Sequence, residues 1–529
     1  MEGYDFVIVG GGSAGCVLAA RLSEDPSVRV CLLEAGGGDR HPFYHLPAGF
    51  AKMTKGIGSW GWQTVPQRHM AGRVFNYTQA KVIGGGSAIN AQIYTRGNPQ
   101  DYDEWRQAGC EGWSYEDVLP YFRKAEDNDT YSNRYHGRGG PLGVSQPSAP
   151  LPICEAYFEA AAQLGIPKNE DVNGERQDGV AFYQLTQRAA RRSSAAMAYL
   201  APNLGRANLT RRLNAQARRI VVEAGRAVAV ELMDGTRIRA EVEVILAGGA
   251  IGTPRLLQLS GIGPAEGLQD LGIDVVLDQP EVGANLQDHL DLYCICEVSG
   301  PHTYDRFAKP HLSMLAGLRY LLTRGGPVAS SLFETGGFWY ADPDARSPDI
   351  QFHLGLGTGI EKGVVAMPEG GVTLNSCYLR PRSRGTVRLS SADPTAPPLI
   401  DPNYLEDPRD REMSIRGLKL TQEILAQAPL KPFIKAERLP GPDVRSDADY
   451  IAFINEHSKT SHHCAGTCRM GADDRAVVDP KLRFRGIDGL RVADNSIMPT
   501  VISSNTNAAA IMIGEKAADM IRDDQRGAP

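Results

Sequence analysis

The chain has 529 residues, a formal net charge of −6 and 42% hydrophobic residues, which are ordinary values for a soluble globular protein. The length allows roughly two to four domains, and the negative charge gives no reason to expect a nucleic-acid partner. No stretch approaches the ~18 consecutive apolar residues of a membrane span. Nine cysteines, an odd number, do not suggest a disulfide scaffold. We therefore expect a reduced, cytoplasmic protein, with attachment to a membrane surface left open.

The N-terminal segment has the strand–turn–helix–strand pattern of a dinucleotide-binding unit. The predicted elements are a buried strand at residues 6–9, a helix at 13–22 and a second strand at 28–33. Gly10, Gly12 and Gly15 have the spacing G-x-G-x-x-G between the first strand and the helix. In this motif Gly10 makes the tight turn, Gly12 leaves room for a pyrophosphate, and Gly15 lets the helix contact the strand.

Glu34 ends the second predicted strand, where its carboxylate can accept hydrogen bonds from a ribose hydroxyl. The positive N-terminus of the preceding helix would face the phosphates. A glycine-rich structural turn would not account for an acid at this position. The segment therefore predicts a dinucleotide site.

The rest of the chain predicts further elements in a mixed order. They are, in chain order, an extended loop or lid at 35–67, a glycine-rich turn at 80–90, a helix at 101–126, a loop leading into a short helix at 147–167, a β-meander at 208–240 with a hairpin turn at 234–235, a buried strand at 242–247, a glycine turn and helix at 248–263, a helix at 411–427, a strand at 489–494 and a helix from 505 to about 521. The three glycines at 84–86 could approach an anion or a planar ring, or form a structural turn, and both interpretations stay open. Residues 291–457 have no dinucleotide signature, so we expect a second domain there.

Several separated motifs resemble the glucose–methanol–choline (GMC) oxidoreductase family, in the family's order and over nearly the whole chain. They are AKVIGGGSAIN, GGAIGTPRLLQLSGIG, EVGANLQDH, HHCAGTCRMG, GLRVADNSIMP and NTNAAAIMIGEKAA. Within the family the chain is most similar to the bacterial choline and alcohol dehydrogenases and to L-sorbose dehydrogenase-like enzymes. The resemblance implies an α/β fold with a Rossmann-like FAD-binding domain and a substrate domain built on a six-stranded antiparallel sheet. We assign residues 1–155, 195–300 and 465–529 to the first domain and 156–194 and 301–464 to the second.

The same resemblance implies FAD as the cofactor. The residues carried over to its site are Gly10, Gly12, Ser13, Ala14, Gly15, Glu34, Ala35, Gly84, Gly85, Ser87, Asn90, Ala217, Asp494 and Asn507. Ala217 matches a backbone contact to adenine, and Asp494 matches the last contact on the pyrophosphate side. Ile89 stands where some members carry a histidine that attaches FAD covalently, so we expect non-covalent FAD.

The resemblance also selects His463 as the catalytic histidine and Asn507 as its partner. A histidine suits the removal of a hydroxyl proton because its pKa lies near working pH. An amide cannot be the base but can orient the substrate oxygen, although Asn507 could equally be a helix cap. His462 stands next to the base and is expected to shape the substrate pocket. Histidines 457, 462 and 463 and cysteines 464 and 468 fit no usual zinc spacing, so no metal is expected.

The predicted function is therefore FAD-dependent oxidation of an alcohol, polyol or sugar hydroxyl to an aldehyde or ketone. The expected partners are a small alcohol substrate and an electron acceptor such as a quinone or dye. The alternatives are an alcohol oxidase that uses oxygen, a non-redox flavoprotein of the hydroxynitrile lyase type, and a flavoprotein that only binds. The motifs do not decide the substrate, the acceptor or the oligomeric state.

Overall fold

The structure, a computed structural model, describes residues 2–53, 56–148, 150–360, 366–367 and 369–527. Its helices are Ser13–Leu22, Phe50–Met53, Gly86–Ile89, Pro99–Gln107, Tyr115–Ala125, Pro152–Gln163, Gly249–Leu259, Ala265–Asp270, Pro310–Thr323, Pro408–Leu425, Asp447–His457 and Asn507–Arg526. Short two- and three-residue strands and 3₁₀ turns connect these helices and two large sheets. The α/β fold class predicted from the sequence is confirmed.

The first sheet contains the N-terminal dinucleotide unit. Across the sheet its strands are Leu209–Arg212, Val30–Leu33, Glu2–Val9, Arg237–Leu246, Arg226–Leu232 and Ala217–Glu223, and Leu490–Val492 also pairs with Arg237–Leu246. The first four strands and Leu490–Val492 pair in parallel, whereas the strands at 226–232 and 217–223 are antiparallel. The parallel strands place their carboxyl ends at one edge, which is where ligands bind in open α/β sheets.

Helix Ser13–Leu22 has the predicted bounds and packs against the C-terminal helix Asn507–Arg526. Small residues permit this contact, because a Cβ on Gly514 would lie 2.9 Å from the backbone oxygen of Ala14. A partly buried ion pair joins the two helices, with Arg21 Nε 2.8 Å from Glu515 Oε2. The two ends of the chain thus build one layer behind the glycine turn.

The second sheet is antiparallel throughout. Across the sheet its strands are Ile434–Leu439, Leu290–Val298, Gly371–Tyr378, Ile350–Gly355, Thr335–Trp339 and Gly179–Phe182. The resemblance implies six strands, and the sheet contains seven, because the short strand Ser458–Thr460 also pairs with Leu290–Val298. Strand Leu290–Val298 belongs to this sheet although it precedes the predicted domain boundary at residue 300. The domain boundaries otherwise stay a prediction.

Three local predictions differ from the structure. The helix predicted at 101–126 is two helices, since Gly109 and Gly112 adopt positive φ and Ser114 caps the second one. Strand Leu209–Arg212 does not join a meander but pairs in parallel with Val30–Leu33. The strand at 242–247 and the hairpin arm before it are one continuous strand, Arg237–Leu246, because its first half pairs with the hairpin and its second half with Leu490–Val492.

Two further observations concern the chain's environment. Within the described ranges, no helix combines the length and the apolar character that a bilayer crossing requires. All nine cysteines are free and buried.

Candidate active site

A cavity of about 340 Å³ connects the two sheets. At one end it is lined by the glycine turn, Glu34 and Ala217, and at the other by His462, His463 and the antiparallel sheet. Of the residues predicted for the cofactor, Gly15, Gly84 and Ser87 do not line the cavity, whereas the others do. The chain therefore brings its nucleotide motif and its candidate base into one space.

The first glycine turn has the close contacts that its motif predicts. Gly10 adopts a φ of +109°, and a Cβ there would lie 2.4 Å from the backbone oxygen of Ala247. A Cβ on Gly15 would lie 1.9 Å from the backbone oxygen of Gly10, so Gly15 is needed for helix–strand packing. A Cβ on Gly12 would meet only a backbone oxygen at 3.7 Å. The protein itself does not exclude a side chain at Gly12, and the space is left for a ligand.

Glu34 lies in a buried position at the end of strand Val30–Leu33. Its Oε2 accepts a hydrogen bond from the Gly11 N–H at 2.8 Å, and its Oε1 accepts one from Gly36 N–H at 2.7 Å. Burial raises the pKa of Glu34 to about 7. Each carboxylate oxygen retains capacity for a second bond, so the side chain can also accept from a ribose hydroxyl.

The second glycine turn lies directly against the first. Gly85 adopts a φ of +54°, and a Cβ there would lie 2.6 Å from Gly12 Cα. Ser87 holds this turn from behind, because its hydroxyl donates to Gly84 O at 2.5 Å and accepts from Ala195 N–H at 2.9 Å. Asn90 lines the cavity, and its oxygen accepts from the buried Arg192 at 2.7 Å. The turn packs closely against the first glycine turn and also forms part of the cavity wall. The interpretation as a structural turn is therefore compatible with the interpretation as a ligand contact.

Asp494 and Asn507 line the cavity near the first glycine turn. Asp494 is buried, and its Oδ2 accepts from Gly249 N–H at 2.8 Å and from the Thr253 hydroxyl at 2.6 Å. Asn507 Oδ1 accepts from the Ser13 hydroxyl at 2.7 Å, while its buried Nδ2 has no hydrogen-bond partner among the residues that the structure describes. An unpaired buried donor beside the helix N-terminus fits an anionic or carbonyl-bearing ligand.

The sequence predicts that Asn507 lies beside the candidate base, but the structure does not place it there. Instead Asn505 Nδ2 lies 3.0 Å from His463 Nε2. Asn505 is held in this orientation because its Oδ1 accepts from Gln351 Nε2 at 2.9 Å and from Thr95 Oγ1 at 3.0 Å. The two asparagines stand two positions apart at the start of the helix, so their side chains diverge. The amide partner of His463 is thus Asn505, and Asn507 belongs to the dinucleotide end.

The hydrogen bonds around His463 determine which of its nitrogens can act as a base. His289 Nε2 lies 3.1 Å from the carbonyl oxygen of Leu379, which can only accept, so His289 carries its proton on Nε2. Burial lowers the pKa of His289 to about 4, which keeps this ring neutral and leaves a lone pair on Nδ1. That lone pair is 3.0 Å from His463 Nδ1, which must therefore be the donor. His463 Nε2 is left with a lone pair.

Burial also holds the pKa of His463 well below its usual range, and the neighbouring His289 and His353 lower it further. The ring is therefore neutral at neutral pH. The lone pair on Nε2 faces the Asn505 amide at the edge of the cavity. A substrate hydroxyl that replaces the Asn505 amide at this lone pair can give its proton to Nε2.

Asp288 fixes the backbone of the candidate base. Its Oδ1 accepts from the His463 N–H at 2.8 Å, and its Oδ2 accepts from the hydroxyls of Tyr77 at 2.9 Å, Tyr404 at 2.5 Å and Thr460 at 2.5 Å. Sequence reasoning gave no role to Asp288 or His289. The signal was present, since both end the motif EVGANLQDH, but the motif alone does not say what the residues contact.

His462 lines the cavity beside the base, as expected for a residue that shapes the pocket. Its backbone adopts a φ of +62°, and its N–H donates to Thr460 Oγ1 at 2.8 Å. Burial lowers the pKa of His462 to about 4. The left-handed backbone turns the two adjacent histidines to different surroundings.

The antiparallel sheet supplies a polar wall opposite the glycine turns. Asp291 and Lys459 both line the cavity, with Nζ 2.6 Å from Oδ2, and Asn375 Nδ2 donates to the same oxygen at 3.0 Å. In the described residues, Asp291 also belongs to a metal-compatible group with His353 and Cys377, whose ligand atoms lie within 4.8 Å of one another. Lys459 already neutralises this carboxylate. The wall carries paired charges and amide groups.

Comparison with known proteins identifies the family of the chain. Sequence profiles described as GMC oxidoreductase match residues 4–291 and 381–514. An alcohol dehydrogenase [acceptor] from Pseudomonas putida is 42% identical over 527 residues, covering 98% of this chain and 95% of the relative. The mitochondrial choline dehydrogenase of Homo sapiens is also 42% identical, over 532 residues, covering 98% of this chain and 90% of the relative.

Two solved structures share the whole fold. The crystal structure of pyridoxine 4-oxidase from Mesorbium loti has a TM-score of 0.90 at 34% identity, covering 99% of this chain and 100% of that one. The formate oxidase of Aspergillus oryzae RIB40, studied for its FAD modification, has a TM-score of 0.93 at 28% identity and 99% coverage of both chains. The chain belongs to the GMC oxidoreductase family, flavoenzymes that use FAD to oxidise the CH–OH group of alcohols.

Proposed function

We propose that this protein oxidises a neutral alcohol, polyol or sugar hydroxyl to an aldehyde or ketone, with His463 as the base. The observation that carries the proposal is the lone pair of His463 Nε2, which the hydrogen bond to His289 directs toward Asn505 and the cavity. A hydroxyl in this place can donate its proton to Nε2 and accept a hydrogen bond from the amide. Both contacts orient the neighbouring C–H bond.

The residues of the cavity fit FAD. Glu34 would hold the ribose of its adenosine half, the glycine turns would admit the pyrophosphate, and the unpaired Asn507 amide would donate to the flavin half. When bound, FAD supplies the acceptor for the hydride. We infer that it is held without a covalent bond, since Ile89 offers no nucleophilic atom where covalent members carry a histidine. Acid precipitation should then release the yellow colour into solution, and colour retained in the pellet would contradict this inference.

The polar wall supports a hydroxyl-bearing substrate rather than a cationic one. At the catalytic end of the cavity Asp291 is compensated by Lys459, so no net negative charge remains to attract a quaternary ammonium group. Amides such as Asn375 can instead bond to further hydroxyls of a polyol or sugar. A panel of alcohols, polyols, sugars and choline would measure it.

A quinone-type or dye acceptor, rather than oxygen, is proposed for the oxidative half of the reaction. The support is the similarity to an acceptor-dependent alcohol dehydrogenase over nearly the whole chain. We further propose a reducing, cytoplasmic compartment, consistent with nine free cysteines. Paired assays with a dye and with oxygen distinguish a dehydrogenase from an oxidase.

The decisive experiment is anaerobic reduction of the bound flavin by substrate. His463→Ala should keep FAD, yet its flavin should be reduced about 10²–10⁴-fold more slowly, the usual contribution of a positioned base. His457→Ala is the matched control, because this histidine does not line the cavity. Reduction of the His463→Ala flavin at the parental rate would overturn the proposal. A parent enzyme whose flavin stays oxidised with every alcohol would favour a lyase.

A further inference from the structure

Helix Pro310–Thr323 carries an exposed apolar face. Five large apolar side chains along it are 53–76% exposed, namely Met314, Leu315, Leu318, Leu321 and Leu322. Their spacing of i, i+1, i+4, i+7 and i+8 puts them on one stripe about 120° wide. Ala316 and Tyr320 on the opposite side are buried and attach the helix to the protein. The helix is thus apolar both where it packs and where it faces outward.

The exposed stripe has a cationic border. Residues 306–333 contain Arg306, Lys309, Arg319 and Arg324 and no aspartate or glutamate, although the whole chain has a net charge of −6. All four basic side chains are exposed, and none forms an ion pair with a residue in the described ranges. Arg319 adjoins the stripe, three residues before Leu322 and four after Leu315. A leucine-rich face bordered by free cations is typical of helices that lie in a membrane interface.

The charges distinguish a lipid surface from a second copy of the chain. A symmetric dimer through this face would bring each cationic border close to its own copy, and like charges in contact oppose association. An anionic lipid surface instead attracts each basic residue and accepts the apolar side chains. A helix of 14 residues is too short to span a bilayer, so it would lie in the surface.

The helix is also connected to the wall of the catalytic cavity. After Thr323 the chain passes through the turn Pro327–Ala329 to Phe333, which lines the cavity. Phe333 contacts Phe50, another lining residue, with ring centroids 5.9 Å apart. A membrane bound to the helix would therefore lie close to this part of the cavity wall.

We propose that Pro310–Thr323 is a membrane-docking helix that binds anionic lipid surfaces through its leucine stripe and its basic border. The inference is independent of the substrate and of the chemistry at His463. It is tested with the FAD-loaded full chain by co-sedimentation with vesicles of phosphatidylcholine alone or mixed with phosphatidylglycerol. Binding to the anionic vesicles should be at least about tenfold stronger and should weaken as salt rises.

Two variants separate the apolar and the ionic contributions. The triple variant Leu318→Gln, Leu321→Gln and Leu322→Gln should bind anionic vesicles at least about tenfold more weakly. Lys309→Glu combined with Arg319→Glu should remove the preference for anionic lipid. Gln keeps helix propensity, and the exposed positions leave the core unchanged. Activity with a soluble dye and flavin content should equal those of the parent in both variants.

The control is Leu204→Gln combined with Leu399→Gln, which alters two leucines that are 43% and 44% exposed elsewhere on the surface. This variant should bind vesicles like the parent. Vesicle binding that is absent in the parent, or unchanged in the triple leucine variant, would overturn the proposal. A parent that forms a dimer in solution, becomes monomeric in the triple variant and ignores vesicles would also overturn it, because a second copy would then cover the face.

Discussion

Replacing His289 by phenylalanine tests whether one buried hydrogen bond determines which nitrogen of His463 acts as the base. His289→Phe keeps an aromatic ring in a fully buried position but removes the acceptor 3.0 Å from His463 Nδ1. Without that acceptor, the His463 tautomer protonated on Nδ1 is no longer stabilised relative to the tautomer protonated on Nε2. The second tautomer has no lone pair facing the cavity and cannot accept the substrate proton.

The size of the effect follows from the cost of an unsatisfied buried donor, about 1–3 kcal/mol. This cost lowers the population of the tautomer that can act as the base, so flavin reduction should be slower by roughly 5–150-fold. FAD content should be unchanged, since His289 does not line the cavity. The rate is measured by anaerobic stopped-flow absorbance of the flavin at saturating substrate.

His289→Asn is the matched control, because its side-chain oxygen can occupy the place of His289 Nδ1 and accept the same proton. His289→Asn should recover most of the parental rate. A loss of stability alone would lower the melting temperatures of both variants but would leave the rate of the folded enzyme unchanged. If His289→Phe reduced its flavin at the parental rate, or if His289→Asn were as slow as His289→Phe, the derivation of the tautomer would be wrong.

Three other predictions follow from the same geometry. Asn505→Ala should slow flavin reduction by about two- to twelvefold for one lost hydrogen bond, while Asn507→Ala should mainly weaken FAD binding. The reverse pattern would restore the original assignment of the catalytic amide to Asn507. Glu34→Ala should raise the Kd for FAD by roughly 10–150-fold, corresponding to about 1.5–3 kcal/mol, and fluorescence titration that shows an unchanged Kd would exclude Glu34 as the ribose acceptor. The rate of flavin reduction should be constant from neutral pH upward and fall only in acid, because the pKa of His463 is lowered by burial and protonation removes the base; a rise centred near 6.5 or above would contradict this environment.

The lowered histidine pKa values also distinguish the structure from the sequence-based expectation. A histidine was expected to titrate near working pH, but tertiary packing buries His463 beside two other histidines. In the unfolded chain these histidines bind protons once the pH falls below their ordinary pKa, whereas in the folded protein burial keeps them neutral. The stability of the folded state is therefore predicted to fall as the pH drops below about 6.5. No local pattern in the sequence indicates this burial.

The sequence by itself determined the dinucleotide unit and the family. The spacing of Gly10, Gly12 and Gly15 and the acid at Glu34 are local features, and their geometry depends on neighbours within one strand–turn–helix unit. For the same reason helix Ser13–Leu22 was predicted with its observed bounds. Order and content of the separated motifs were sufficient to identify the family without coordinates.

Only the tertiary structure decided which residues meet at the base. His289 and His463 are 174 positions apart, and their contact depends on how strands Leu290–Val298 and Ser458–Thr460 pair in the antiparallel sheet. The choice between Asn505 and Asn507 depends on the direction in which each side chain leaves the start of one helix. A sequence motif does not distinguish the two asparagines in the pattern NTN, but folding directs one toward His463 and the other toward Ser13. Long-range pairing and side-chain direction are set by packing, which a linear pattern does not contain.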